Sequence, residues 1–347
     1  MIQFYNSTIS KCIIHFVGNK SLDEHIKFSK TIFTLSEEIN YVLTNYFFRS
    51  FLKKEDFFNL YHDVDLNLNE IYSYVSQIFE DSERFHEQSV NLAKHLYEQS
   101  THPKIKGGEF YVVYFKNCLF EGKTIDAIGL FKSENKDTFL KVYPKGDGFE
   151  IESEKGVNIN LLDKGCLILN TEKDNGYLVS VVDNTNKGTD AKYWTDHFIH
   201  LRPREDEYFN TQRALSLCKS FVISELPKKM EVSKADQADL LNRSVSFFKE
   251  KETFNIDEFT KEVIGQPLLI DSFNKYKTEF QCERGLTSVD NFQISNSAVK
   301  KQERVFKSII KLDKNFDIYI HGKRELIEQG IDDKGRRYYK FYYTVES

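Results

Sequence analysis

Hydrophobic positions change their spacing along the chain, and each change marks a change of structure. Ile9 to Val17 is an apolar, β-branched run ended by Gly18-Asn19, which reads as a strand and a turn. Ile39, Val42, Leu43, Tyr46 and Phe47 then recur at three- and four-residue spacing behind Thr34 and Glu37, the pattern of a capped helix with one apolar stripe. Leu68, Ile71, Val75, Ile78 and Phe79 repeat that logic. A third stripe follows, Phe85, Leu92, Ala93, Leu96 and Tyr97, with Ser82 placed to cap it. Past Pro103 and Gly107-Gly108 the pattern becomes extended. Glu109 to Phe115, Thr124 to Lys132, Thr138 to Tyr143, Phe149 to Glu152, Gly165 to Asn170 and Tyr177 to Asp183 are strand candidates divided by Gly, Asn and Asp turns. Such short connections make neighbouring strands antiparallel, because a parallel pair needs a long crossover.

From Ala191 the helical period returns, through YWTDHFIH and Asp206 to Leu226, with Pro227 as the expected stop. Ser233 caps a helix carrying Leu240, Leu241, Val245, Phe247 and Phe248, and Asn255 with Glu258 opens another. Gly285 to Ser297 reads as a loop, followed by strands over Arg304 to Leu312, Phe316 to His321 and Arg336 to Thr344. The fold expected is α+β: N-terminal helices packed on an antiparallel sheet, then a helical region and a small C-terminal β-rich segment. Two domains are expected, an α+β domain over 1–203 and a C-terminal domain over 204–347, helical over 204–284 and β-rich and basic over 299–344.

A chain of 347 residues with 40% hydrophobic and 29% charged side chains is long enough for a sizeable core and too apolar to be disordered. No apolar run is long enough to span a bilayer, and the N-terminus lacks the basic and apolar regions of a secretion signal, so a cytoplasmic protein without a membrane partner is expected. Cys12, Cys118, Cys166, Cys218 and Cys282 are scattered and form no CxxC, the pattern of buried thiols in a reducing compartment. A lysine excess of 37 over 11 arginines, with abundant Phe, Ile, Asn and Tyr, matches an AT-rich bacterial genome.

The overall charge of −5 hides an asymmetry. Val299 to Phe341 holds twelve Lys and Arg against seven Asp and Glu, a local excess of +5 that leaves −10 for the other 304 residues. Basic residues interleaved with aromatics suit a polyanion, since Lys and Arg displace the counterions of a phosphate backbone. The competing reading is a sheet edge guarded by lysines. The candidate DNA-binding residues are Lys300, Lys301, Arg304, Lys307, Lys311, Lys323, Arg324, Lys334, Arg336, Arg337 and Lys340. Strand alternation turns Tyr339, Phe341 and Tyr343 to one side, read as core, and Tyr338, Lys340 and Tyr342 to the other.

Catalytic constellations are weak. His197 and His200 with Asp196 supply two metal ligands of the four a zinc site needs, and read as a helix end. Glu134-Asn135-Lys136 and Asp332-Asp333-Lys334 carry the acid-x-Lys spacing of magnesium nucleases but fall in turns without a paired upstream acid. His15 sits in an apolar strand and reads as a core histidine, and Tyr193-Trp194 beside Phe198 as packing. No phosphate-cradling glycine loop or nucleophile elbow is present. A non-enzymatic protein without metal or cofactor is therefore expected.

HFVG at 15–18, GGEFYVV from Gly107, IGLFK from Ile128, LLDKGCLIL from Leu161, VVDNTN with KYWTDHFIHLRP, Thr211, CKSF at 218–221 and IKLDKNFDIYI at 310–320 together resemble the bacterial nucleoid-associated protein family known as YejK or NdpA. The resemblance implies a cytoplasmic protein of the nucleoid that binds DNA and has no established catalytic motif. Double-stranded DNA is the partner expected, contacted through phosphates with little sequence specificity, because no recognition helix is evident. An adaptor reaching the nucleoid through a protein such as a topoisomerase is the alternative, and a metal-dependent nuclease the third. A homodimer, which would double a modest basic patch, is the expected oligomer.

Overall fold

The computed structural model describes residues 2–4, 6–185, 193–284, 290–303, 306, 309–320 and 324–345. The chain divides into two compact units, 1–204 and 205–347. The first contains, in order, β1 (Ile2–Gln3), β2 (Thr8–Val17), β3 (Ile26–Lys27), α1 (Glu37–Phe48), β4 (Phe58–Leu60), α2 (Glu70–Glu80), α3 (Phe85–Gln99), β5 (Gly108–Phe120), β6 (Lys123–Ser133), β7 (Asp137–Lys145), β8 (Gly148–Gly156), β9 (Lys164–Leu169), β10 (Leu178–Asp183) and β11 (Leu201–Pro203). Nine of these strands form one sheet in the order β11-β4-β10-β9-β6-β5-β2-β3, with β1 added along the end of β5. Its pairings are antiparallel throughout.

Helices cover the sheet on both faces. Ile13, Phe110, Val112, Ile128, Leu130, Cys166, Ile168 and Val179 meet Ile71, Val75 and Ile78 of α2 and Leu92 and Leu96 of α3. Their strand neighbours Cys12, Tyr111, Val113, Phe131, Leu167 and Leu178 meet Tyr46, Phe47 and Phe48 of α1 and Phe51 beyond it. Two-sided burial explains why β9 and β10 are apolar at nearly every position, without the alternation of a sheet wet on one side. The turn into β10 requires glycine at 176: its φ is +96°, and a Cβ there would come within 2.0 Å of the Leu60 carbonyl oxygen.

Several local expectations are corrected. The α1 cap is Ser36, whose side chain accepts from the Ile39 amide, not Thr34. Ser82 begins a 3-10 turn capped by Asp81, and α3 starts at Phe85. β7 and β8 do not join the sheet but pair only with each other. Cys282 is exposed, while the other four cysteines are buried.

The second unit contains α4 (Glu207–Ser220), a wider π-type segment over Phe221–Glu225, α5 (Leu226–Lys229), α6 (Lys234–Glu250), β12 (Thr253–Asn255), α7 (Ile256–Phe259), α8 (Pro267–Glu283), β13 (Asn291–Gln293), α9 (Asn296–Glu303), β14 (Ile309–Leu312), β15 (Phe316–Tyr319), β16 (Ile327–Ile331) and β17 (Arg337–Phe341). Pro227 does not stop the helical run; it stands in the first turn of α5, where its missing N–H leaves no bond unmade. Ser233 caps α6 in a full capping box with Asp236. The region read as a loop over 285–297 contains β13 and the start of α9, because Phe292 stacks on Phe254 at 4.8 Å and fixes the β12–β13 pair; residues 285–289 lie outside those described. Of the strand expected from Arg304 to Leu312, Ile309–Leu312 forms β14, while residues 304, 305, 307, 308 and 321 lie outside those described.

His15 is buried on β2 and bonded as a neutral ring. The Ser29 amide donates to Nδ1 at 3.2 Å, which leaves Nε2 to donate to Ser89 Oγ at 3.1 Å, and Ser89 donates onward to the His86 carbonyl at 2.7 Å. Desolvation, with His86 nearby as a further positive charge on protonation, lowers its pKa to about 4. The unfolded chain therefore takes up this proton first as pH falls. Stability conferred by the neutral ring is complete above pH 6.5 and declines toward pH 4, by a total of roughly 3 kcal/mol. Urea titrations at stepped pH will show a shallower decline for His15→Gln than for the natural chain over that range; equal slopes would assign the acid limb to other groups.

Candidate functional site

The basic C-terminal segment is built on small strand pairs. Asp332 makes the β16–β17 turn: its Oδ1 accepts from the amides of Lys334 (3.0 Å) and Arg336 (2.8 Å), and Gly335 supplies a φ of +76°. Those amides, with the Arg336 guanidinium, hold the Asp332 carboxyl below its usual range. Register sets Glu328 opposite Lys340 and Gln329 opposite Tyr339. The inner face carries Ile327, buried with Ala235, Ala238, Ile310 and Ile320, and half-buried Tyr339 packs against that cluster. Tyr338, Lys340 and Tyr342 occupy the outer face, where Tyr338 lies over Gly330, Lys340 Nζ is 5.7 Å from the centre of the Tyr342 ring and Tyr342 donates to Glu328. The core side expected for Tyr339 is found. Phe341 and Tyr343 are exposed, a correction that follows from the small size of the apolar cluster beneath the hairpin.

The predicted cations divide into groups. Lys334 and Arg337 are exposed at and after the turn, and Lys300 and Lys301 are exposed on α9, a helix and not a strand; Lys301 lies 5.4 Å from the centre of the Tyr208 ring. Four others are matched to acids: Lys311 with Asp317 (3.7 Å), Arg324 with Asp236 (2.7 Å), Arg336 with Asp332 (2.7 Å) and Lys340 with Glu328 (3.4 Å). Arg304, Lys307 and Lys323 lie outside the described residues. An open hollow of about 730 Å³ beside β16 mixes Arg243 and Arg324 with Asp239, Glu325 and Glu328, so it is not a cationic pocket. His200 leaves the Tyr193–Ile199 π-type turn with φ +55°, so it does not share a helical face with His197, and no metal-competent cluster occurs among the described residues.

A second charged constellation, in the first unit, does not stand out in the sequence. Lys132 on β6 and Lys164 on β9 are paired in register, and both side chains are wholly buried. Lys132 Nζ donates to the Lys106 carbonyl at 2.7 Å and lies 3.1 Å from Glu134, while Lys164 Nζ donates to Asp183 and to Thr185 Oγ1, both at 2.7 Å. Tyr193 donates to Glu134 at 2.7 Å, and its ring centre is 5.7 Å from one ammonium and 5.1 Å from the other. Burial, then Glu134, drives the Tyr193 pKa well above its usual value; burial lowers that of Lys132 against the opposing pull of Glu134. Asp163 closes the corner by accepting from the Glu134 and Asn135 amides at 2.7 and 2.8 Å. The readable signal is a lysine closing the apolar run IGLFK of β6 and one opening the apolar run KGCLIL of β9. Lys164→Ala will lower stability by about 3–5 kcal/mol in denaturant titration, because Asp183 is left buried with one ammonium fewer. A decrease below about 1 kcal/mol would mean that the pair behaves as a solvated one.

A family model described as nucleoid-associated protein YejK matches residues 13–335. Among curated proteins none matches the chain. The matched stretch runs from Ile13 on β2 through both buried lysines to Gly335 at the hairpin turn, leaving β17 outside it. With nearly the whole chain matched across both units, the protein belongs to the nucleoid-associated protein YejK family.

Proposed function

We infer that this member of the family binds DNA directly, through phosphate contacts and without base readout, in the cytoplasmic nucleoid of a bacterium. The observation that carries the reading is the β16–β17 hairpin, where Lys334, Arg336, Arg337 and Lys340 are exposed along one turn and strand beside the exposed rings of Tyr338 and Tyr342. Exposed ion pairs such as Lys340 with Glu328 hold weakly, so a phosphate can take the place of the carboxylate. Double-stranded DNA is the partner this spacing of point charges suits, with the exposed sides of the tyrosine rings as stacking surfaces where bases are unpaired. The role is binding and not catalysis: the Glu134 carboxylate is engaged by Lys132 and Tyr193, and that of Asp332 by Arg336.

One observation favours a second reading. Four of the predicted DNA contacts already have acidic partners, and the rest of the chain carries −10, so the protein could instead reach the nucleoid by docking on a basic protein.

Electrophoretic titration of duplex DNA over a salt series is expected to show binding at low salt that weakens steeply as salt rises. Lys334→Glu combined with Arg337→Glu should flatten the log–log slope by about 0.9 for each phosphate that is no longer neutralised. Undetectable binding at low salt, or a variant that matches the natural chain, rules out direct contact. In a nucleoid pull-down, nuclease treatment is expected to release the associated proteins; retention of a basic protein after complete digestion favours the adaptor instead.

A further inference from the structure

Among the described residues, the β7–β8 ribbon has one face without a partner. Register sets Leu140 opposite Ser153, Val142 opposite Ile151 and Pro144 opposite Phe149, and directly opposed residues share a face. Leu140, Val142, Phe149 and Ile151 are 68%, 58%, 77% and 64% exposed. The other face satisfies itself. Lys145 lies 2.6 Å from Glu150 and Lys141 3.8 Å from Glu154, while the Tyr143 hydroxyl is 3.0 Å from Glu150 and 2.5 Å from Glu152.

A two-stranded ribbon is only marginally stable in water by itself and needs a layer against its apolar face. The four exposed side chains present about 500 Å² of apolar surface, as large as the biggest patch on an ordinary monomer. Placed face to face, two such patches close on the order of 1,000 Å², the lower bound of a specific interface. We propose that the ribbon's apolar face packs on the same face of a second copy of this chain, about a two-fold axis.

Net charge disfavours a nucleic acid on this ribbon, and the placement of its charges leaves the apolar face as the one to be covered. Residues 137–156 carry three lysines against five acids, a net −2 that disfavours a nucleic acid. Lys141 and Lys145 stand on β7, whereas Glu150, Glu152 and Glu154 stand on β8. Joining two β8 edges would crowd six glutamates; stacking the apolar faces keeps them in solvent. A two-fold along the strands then sets β7 of each copy over β8 of the other, with these lysines and glutamates of both on the outer faces.

The mass of the intact protein in solution tests the proposal without any DNA present, so its outcome is separate from that of the DNA reading. Light scattering behind gel filtration at micromolar concentration is expected to give twice the chain mass for the natural protein. The expected mass is that of one chain for Val142→Glu with Ile151→Glu, and for Phe149→Ser as an independent variant, with unchanged circular dichroism because all three positions are exposed. A natural protein of single-chain mass overturns the proposal. So does a doubled mass that survives both variants, which would put the interface elsewhere, or a drop in DNA affinity in the variants at unchanged mass, which would make the ribbon a nucleic-acid element.

Discussion

Lys132 and Lys164 lie opposite one another on adjacent strands with neither side chain in contact with water, and much of the first unit is arranged around that pair. Like charges facing each other across a ladder repel, and burial removes the solvent that would screen them. Neutralisation must come from fixed groups. The Lys106 carbonyl, Glu134, Asp183, Thr185 and the Tyr193 ring provide it from four separate stretches of the sequence. A one-residue slip of β9 against β6 would turn Lys164 to the opposite face, among Phe131 and Leu167, and separate it from Asp183. Buried ion pairs roughly repay their own desolvation, so the network acts more on register than on net stability. Strands buried on both faces need such a device, because an apolar pattern without alternation does not by itself say which side is which.

In the second unit, charge works under the opposite condition. The ion pairs of β14–β15 and β16–β17 lie in solvent, where water and salt screen them and each adds little to folding. What they change is availability. A lysine whose nearest neighbour is a carboxylate gives up that partner before it meets a phosphate, so part of the attraction is offset at each exchange. Tyr342 and Lys340 together keep the Glu328 carboxyl below its usual range, so this competitor stays ionised throughout the physiological range.

The legible part of the sequence is the part governed by periodicity. Stripes such as Ile71, Val75 and Ile78, and the strand runs divided by Gly and Asn, follow from helical and extended spacing and appear in the structure as α2 and the central sheet. The illegible part depends on partners distant in sequence. β7 and β8 alternate charged and apolar positions where β5 is apolar from Phe110 to Phe115, but nothing local says which strand each pairs with, since strand pairing is decided across the fold. β16 reads poorly because EQG interrupts its apolar pattern, and it exists through register with β17. The basic segment can be counted from composition, but only coordinates show that Arg324 answers to Asp236, 88 residues away. The buried lysines escape a reading of the sequence for a related reason: Asp183 lies 19 residues from Lys164 and Tyr193 lies 61 from Lys132, and a lysine at a strand end ordinarily reads as solvated.

Under the proposed DNA binding, the extent of polyanion contact follows from this distribution. Outside Val299 to Phe341 the chain carries −10, a charge that disfavours a phosphate backbone there and makes the basic segment the proposed place of approach. Within that segment Lys300, Lys314, Lys334 and Arg337 are exposed and carry no carboxylate partner among the described residues. A handful of available cations releases few counterions, so the proposed binding would be modest per chain and salt-sensitive in proportion to that small number. Two chains held together present twice the contacts with one shared loss of freedom, and avidity then exceeds what either surface achieves alone. An acidic body with a small basic surface is thus compatible with nucleoid association when the chain acts as a pair, and the unpartnered ribbon of the first unit is where the pairing can be made without using a single residue of the basic segment.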